Sequence, residues 1–287
     1  MKTDRIIFLL AMLIISFQLY AQEDIIASMA KGYLREHYNG SIDERYLTSK
    51  ETNSTFKIRI YLPITYTDTQ EKYPIMVLTD AIWSMGFAQS TFDFMTVMNK
   101  EIPEVIIIGI DYPSSNNLDW VRNRFRDMIP THVEGYDPSG SADKFIAFIK
   151  KELFPYIENN YRVDTTDRCF FGHSLGGLLA SHILIEQSSL FNRYIIGSPS
   201  YWWDNKEIIK RLSTKGFLST DSVKAVYTFI GSEEGETAIT NWKEFNEQLV
   251  HKISKKLKFH DQIFQDETHM SVTPAAFSKA VRFVYKE

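Results

Sequence analysis

Gly172-His173-Ser174-Leu175-Gly176 places a serine between two glycines, with Gly177 next in line. A serine hydroxyl becomes useful as a nucleophile when a sharp bend presents it to a base. On a strand-to-helix turn, the residues two before and two after the serine crowd each other, so only very small side chains fit. The apolar run "RCFFG" (168–172) suits the incoming strand, and "SLGGLLASHILIEQ" (174–187) suits a helix whose first amides point over Ser174. At ordinary Gly and Ser usage the three fixed positions recur once per ~3000 positions, so the strand-and-helix context carries much of the weight.

A serine of this kind needs a base, and the base needs an acid to orient it; after such a turn they follow in the order serine, acid, histidine. Of the later histidines, His182 falls inside the helix after Ser174, His251 in a charged helix and His260 in the middle of a strand. His269 lies between the last strand and the last helix, in a loop from which a base can hang. The acid is expected just past "AVYTFIG" (225–231), where Glu233, Glu234 and Glu236 share one short loop. Glu234, three residues after Gly231, is the assignment, with its two neighbours as alternatives. An oxyanion would be held by the amide of Leu175 and by a second amide from the loop after "IMVLTD", Ala81 or Ile82.

These residues need a scaffold that gathers them. "YPIMVLTD" (73–80), "VIIIGIDYP" (105–113), "RCFFG", "RYIIGSP" (193–199) and "AVYTFIG" are almost continuously apolar, as parallel strands covered on both faces must be. "TFKIRIYLP" (55–63) and "KFHDQIFQD" (258–266) alternate instead, and suit strands with an exposed face. Between them come helix-period segments at 141–161, 174–187, 237–257 and 274–286; the first opens on a capping Ser141 and sets Phe145, Ile149, Leu153 and Ile157 on one face. Strands alternating with helices predict an α/β fold with a mostly parallel central sheet and helices on both faces. Ligands bind at the carboxyl ends of such strands, which is where the polar and aromatic residues gather.

Six separated segments, "YPIMVLTDAIW", "RFRDMIP", "ELFPYIENNYRVDTTDRCFFGHSLGGLLA", "FNRYIIGSPSYWWD", "TFIGSEE" and "ETHMS", resemble in order an esterase family of α/β-hydrolases. That family includes siderophore esterases, S-formylglutathione hydrolase, feruloyl esterases and mycolyltransferases. The likeness spans roughly residues 45 to 285, and "SPSYWWD" and "RFRDMIP" are most similar to the siderophore-esterase-like branch. The resemblance implies an α/β-hydrolase fold, Ser174 as nucleophile, His269 as base, and Ile82 with Leu175 as oxyanion donors. Relatives usually carry glycine where this chain has Ala81.

Four of the five tryptophans, Trp83, Trp120, Trp202 and Trp203, fall just past strand ends. Trp83 and Trp202, with Arg124, are candidates for holding an aryl, sugar or anionic substrate. The competing reading packs Trp203 and Trp120 onto the body and spends Arg122, Arg124 and Arg126 on ion pairs with groups such as Asp127. No metal-ligand spacing, P-loop or dinucleotide fingerprint is present, so neither a metal nor an organic cofactor is expected.

A formal net charge of -4 argues against nucleic acid as a partner. The Lys-rich "KISKKLK" (252–258) suits a solvated face. Lys2 and Arg5, the apolar run at 6–17 and "LYAQ" at 19–22 have the form of a signal peptide cut after Ala21. The apolar run falls short of the ~20 residues that span a bilayer, so no stable membrane association is expected after cleavage. The expectation is export to the periplasm or outside the cell, with 1–21 as leader, 22–40 as an N-terminal extension and 41–287 as one esterase domain. The single cysteine, Cys169, permits no internal disulfide and fits a buried, inert thiol. The residues point to hydrolysis of a small-molecule ester through an acyl-enzyme. The alternatives are an inactive binding protein on the same fold, or an acyltransferase or peptidase using the same site.

Overall fold

The computed structural model describes residues 42–286, apart from 98, 99, 115, 217 and 219–221. The leader expected at 1–21 and the extension at 22–40 lie outside the described residues. In chain order the elements are β1 (Ile42–Thr48), β2 (Thr55–Tyr61), β3 (Tyr73–Thr79), α1 (Ala81–Val97), β4 (Ile106–Asp111), α2 (Asn117–Met128) and α3 (Ala142–Phe148). They continue with α4 (Phe154–Asn160), β5 (Val163–His173), α5 (Leu175–Glu186), β6 (Arg193–Gly197) and α6 (Glu207–Thr214). The last four are β7 (Ala225–Gly231), α7 (Glu236–Val250), β8 (Lys258–Phe264) and α8 (Val272–Tyr285).

Eight strands form one sheet in the order β1-β2-β4-β3-β5-β6-β7-β8. The first two pairings are antiparallel and all the others parallel. Every residue of β4 and β7 is buried, which is why those segments are apolar without alternation. One face packs on α1 and α8 through Met85, Phe92, Phe277 and Val281. The other face packs on the remaining long helices through Phe145, Ile149, Leu179, Trp242 and Phe245. The core is aromatic-rich, with Phe56 stacked on Phe148 at 4.3 Å and Phe171 edge-on to Phe277 at 5.1 Å. Cys169 is buried among these residues, and burial drives its thiol far above the usual range.

Several elements depart from the sequence expectation for identifiable reasons. The helix expected at 141–161 is interrupted by a π-turn, Ile149–Leu153, where the Phe154 amide reaches back to the Ile149 carbonyl. Pro155 has no N–H to continue the ladder, so the wider turn absorbs the mismatch. Phe145, Ile149, Leu153 and Ile157 are nevertheless all buried. Ser141 ends this helix with its carbonyl, which accepts from Lys144 and Phe145 at 3.0 and 3.1 Å, and its side chain forms no cap. Helix α1 occupies a segment expected to be a loop, because it is apolar on all sides and shows little helical period. Helix α2 is mostly polar, and Asn116 caps it by accepting from the Asp119 amide at 2.8 Å. Strand β1, "IDERYLT", is a largely exposed edge with no alternation to announce it.

Candidate active site

β5 ends at His173, and the chain reverses at Ser174, with φ 60° and ψ −118°, before α5 begins at Leu175. A non-glycine residue at positive φ is strained and persists only when its surroundings over-determine it. Here the Ser174 amide donates to the Gly197 carbonyl at 3.0 Å, and the Ser174 carbonyl accepts from Leu178 and Ser200 at 3.0 and 3.1 Å. The glycines are there for space. A Cβ on Gly172 would lie 2.0 Å from the Gly176 carbonyl oxygen, and one on Gly177 would lie 2.7 Å from the Gly197 oxygen. The Ser174 hydroxyl, held in this turn, sits 3.4 Å from that of Ser200.

The β7 and β8 ends supply the other polar groups. His269 Nδ1 is 2.6 Å from Glu234 Oε2. The second carboxylate oxygen of Glu234 accepts from Ser198 Oγ at 2.5 Å and from the Gly231 amide at 2.8 Å. The Glu234 carboxylate is only 4% exposed. Burial alone would raise its pKa, but the bonds from His269, Ser198 and Gly231 outweigh it and hold the group below the usual 4.5. A carboxylate accepts only, so Nδ1 carries the proton of a neutral His269 and Nε2 is left as the basic atom. Glu233 and Glu236 sit otherwise: Glu233 is met by its neighbour Ser232, and Glu236 opens α7.

The loops carrying Glu234 and His269 are tied to each other. The Glu233 amide donates to the Glu267 carbonyl at 3.0 Å, and the Ser232 amide to Phe264 at 2.9 Å. A Cβ on Gly231 would lie 2.1 Å from that same Glu267 oxygen. The His269 ring also packs against His173, the residue before Ser174, with centroids 4.5 Å apart. Burial, reinforced by the neighbouring His269, drives His173 down to about 3 and keeps it neutral. The other histidines stand apart: His182 is buried against Asp143 at 2.7 Å, His251 ends α7, and His260 lies in β8 beside Tyr227.

The amides expected to hold an oxyanion belong to the first turns of two helices, Leu175 in α5 and Ile82 in α1, where N–H groups have no intrahelical partner. The two helix starts are neighbours, since the space a Gly176 Cβ would fill is 2.4 Å from Thr79 Oγ1 and 3.9 Å from Asp80 Oδ2. Arg124 places Nε and Nη2 2.8 and 2.9 Å from the two carboxylate oxygens of Asp80. Arg126 pairs in the same two-pronged way with Asp127, while Arg122 lies 4.0 Å from Asp119. Trp83 and Trp202 are 65% and 53% exposed. Trp203 is buried and donates to Thr131 Oγ1 at 3.0 Å, and Trp120 donates to Asp111 at 3.2 Å. Ser198 and Asp80 were not singled out from the sequence, because no local pattern links either to a partner 36 or 44 residues away.

Residues 49–274 match the family model described as "Putative esterase". Ferri-bacillibactin esterase BesA of Bacillus subtilis is 29% identical over 261 residues, covering 83% of this chain and 88% of that protein. The siderophore triacetylfusarinine C esterase of Aspergillus fumigatus is 34% identical over a shorter stretch, 41% of this chain and 40% of its own. Among solved structures, the BES protein of Bacillus cereus superposes with a TM-score of 0.75 at 29% identity, over 85% of this chain and 95% of its own. An IroE-like serine hydrolase of Shewanella oneidensis gives 0.75 at 27% identity, over 86% and 80%. An eight-stranded α/β-hydrolase sheet with a strained serine at the end of β5, matched along most of its length by a family model, leads to one assignment: the chain belongs to this esterase family and is a carboxylic ester hydrolase.

Proposed function

We propose that the chain is an exported serine esterase that cleaves siderophore, aryl or sugar esters, with Ser174 as nucleophile, His269 as base and Glu234 as the orienting acid. The observation that carries this reading is the 2.6 Å bond from His269 Nδ1 to a buried Glu234, made by a ring that packs on His173, the residue before a serine held at positive φ. In the reaction, His269 Nε2 takes the proton as Ser174 Oγ bonds to the ester carbonyl carbon. The carbonyl oxygen becomes an oxyanion facing the amides of Leu175 and Ile82. The C–O bond to the alcohol then breaks, and His269 returns the proton to the departing oxygen. Water, deprotonated by the same nitrogen, cleaves the acyl-enzyme and restores the serine. The siderophore esters named for the relatives motivate the substrate class, and the exposed rings of Trp83 and Trp202 suit an aryl group. Export rests on the form of residues 1–21.

A fluorophosphonate reagent tests the nucleophile. Covalent labelling of the wild type, absent in Ser174→Ala, is expected. A wild type that takes no label would instead favour an inactive binding protein on this fold. A panel of p-nitrophenyl, feruloyl, acetyl-sugar and catecholate-siderophore esters tests the substrate class. Preference for acetyl-sugars would remove the aryl assignment.

A further inference from the structure

We propose that Arg124 and Asp80 form a positioning clamp that fixes the Ile82 amide for the developing oxyanion, an assignment that rests on the serine-esterase reading above. Asp80 is the last residue before α1 and stands at φ 56°, a conformation that costs a non-glycine residue energy. Both of its carboxylate oxygens are bound by the Arg124 guanidinium, and the pair is largely withdrawn from water, at 13% and 14% exposure. The guanidinium lies over the Trp120 ring at 4.7 Å, and the Trp120 indole is anchored on Asp111 at the end of β4. The chain start of α1 is thus held from above by a side chain of α2.

It is held from below as well. Ala81 is fully buried, and its methyl rests against Gly109 of β4, where an added Cβ would come within 2.6 Å. Ser84 Oγ closes the turn by donating to the Thr79 and Asp80 carbonyls at 2.8 and 3.0 Å. Between these supports the Ile82 amide has one orientation, and a preorganised donor stabilises an oxyanion most when it need not move. A guanidinium offers both bonds from one rigid plane, which an ammonium cannot. With its fork spent on Asp80, Arg124 acts through the α1 start rather than as a loose cation for an anionic substrate.

The test uses the whole protein and p-nitrophenyl acetate, a small uncharged ester, with Arg124→Lys, Arg124→Gln, Asp80→Asn and the Arg124→Gln/Asp80→Asn double variant. Each single change is expected to lower kcat about 10- to 100-fold with KM within about twofold. Affinity for a trifluoromethyl ketone, which forms the tetrahedral adduct, is expected to fall in parallel. Lysine is expected not to rescue, and the double variant to be no worse than either single one. Thermal melts identify variants that fold, and Arg124→Lys retains charge and bulk should the others unfold. Full kcat in folded Arg124→Gln overturns the clamp, as does a loss confined to KM. Full rescue by lysine also overturns it. A wild type that takes no fluorophosphonate label overturns the clamp together with the esterase reading, whereas a labelled wild type with fully active clamp variants overturns the clamp alone.

Discussion

The loops after β7 and β8 and the apolar mouth of the site are built on opposite terms. In the former, Glu234 has both oxygens occupied and the Glu267 carbonyl crosses directly over Gly231. At the mouth, taken as the exposed side chains that follow β3 and β6, Ile82, Trp83 and Trp202 are large and apolar. Changing a partner of Glu234, or adding a side chain at Gly231, leaves a buried charge or a backbone overlap without compensation. Changing a mouth residue removes exposed apolar surface, which a bound ester would cover under the proposed function. Under the proposed function, the contrast separates the part of the site that breaks the bond from the part that chooses what is broken.

The sharpest test of that division is Ser174→Ala or His269→Ala, expected to reduce kcat on an aryl ester by ~10⁴- to 10⁶-fold, with the double change little worse. Full activity in His269→Ala would remove the loops' catalytic half of the comparison. Glu234→Ala should cost less, ~10²- to 10⁴-fold, while Glu233→Ala and Glu236→Ala stay near wild type. If either neighbour proves the more damaging, the acid is misassigned.

Stability should follow the same division. Gly231→Ala places a methyl on the Glu267 carbonyl and is expected to cost about 1–3 kcal/mol in chemical denaturation. Glu234 is held below its ordinary 4.5, so the unfolded chain binds its proton more readily than the folded one. Its stabilisation is therefore complete above 4.5 and is lost as pH falls through the lower folded value. The melting-temperature gap between wild type and Glu234→Gln should be wide at neutral pH and close in acid; a gap independent of pH would contradict this. The smallest effect is expected at the mouth. Trp83→Ala or Trp202→Ala should leave kcat on p-nitrophenyl acetate nearly unchanged and raise KM for bulky aryl esters about three- to tenfold. Equal loss on small and bulky esters would erase the distinction.

What could be read in advance follows the range of the forces involved. β3, β4 and β7 were legible because strands covered on both faces must be apolar throughout, and the tight turn at Ser174 because its crowding demands glycines. The placement of Glu234 against His269 could be read from its spacing from Gly231. Helix α1 was not, because its exposed face carries Ile82, Gly86 and Phe94, so apolar residues on both sides erase the amphipathic period. β1 hid in a run of charges that suits an edge strand. The pairing of Arg124 with Asp80 was equally hidden, since it joins two elements through the fold and leaves no local spacing.

Gly231 has a consequence for how such a protein can change over time. Its backbone touches the Glu267 carbonyl with no room between, so the stretches 231–236 and 265–271 share one length standard. An insertion in either would slide the carboxylate past the imidazole unless the other were altered in step. Descendants of this sequence can lengthen and recolour the mouth independently, whereas these two loops can be inherited only as a matched pair.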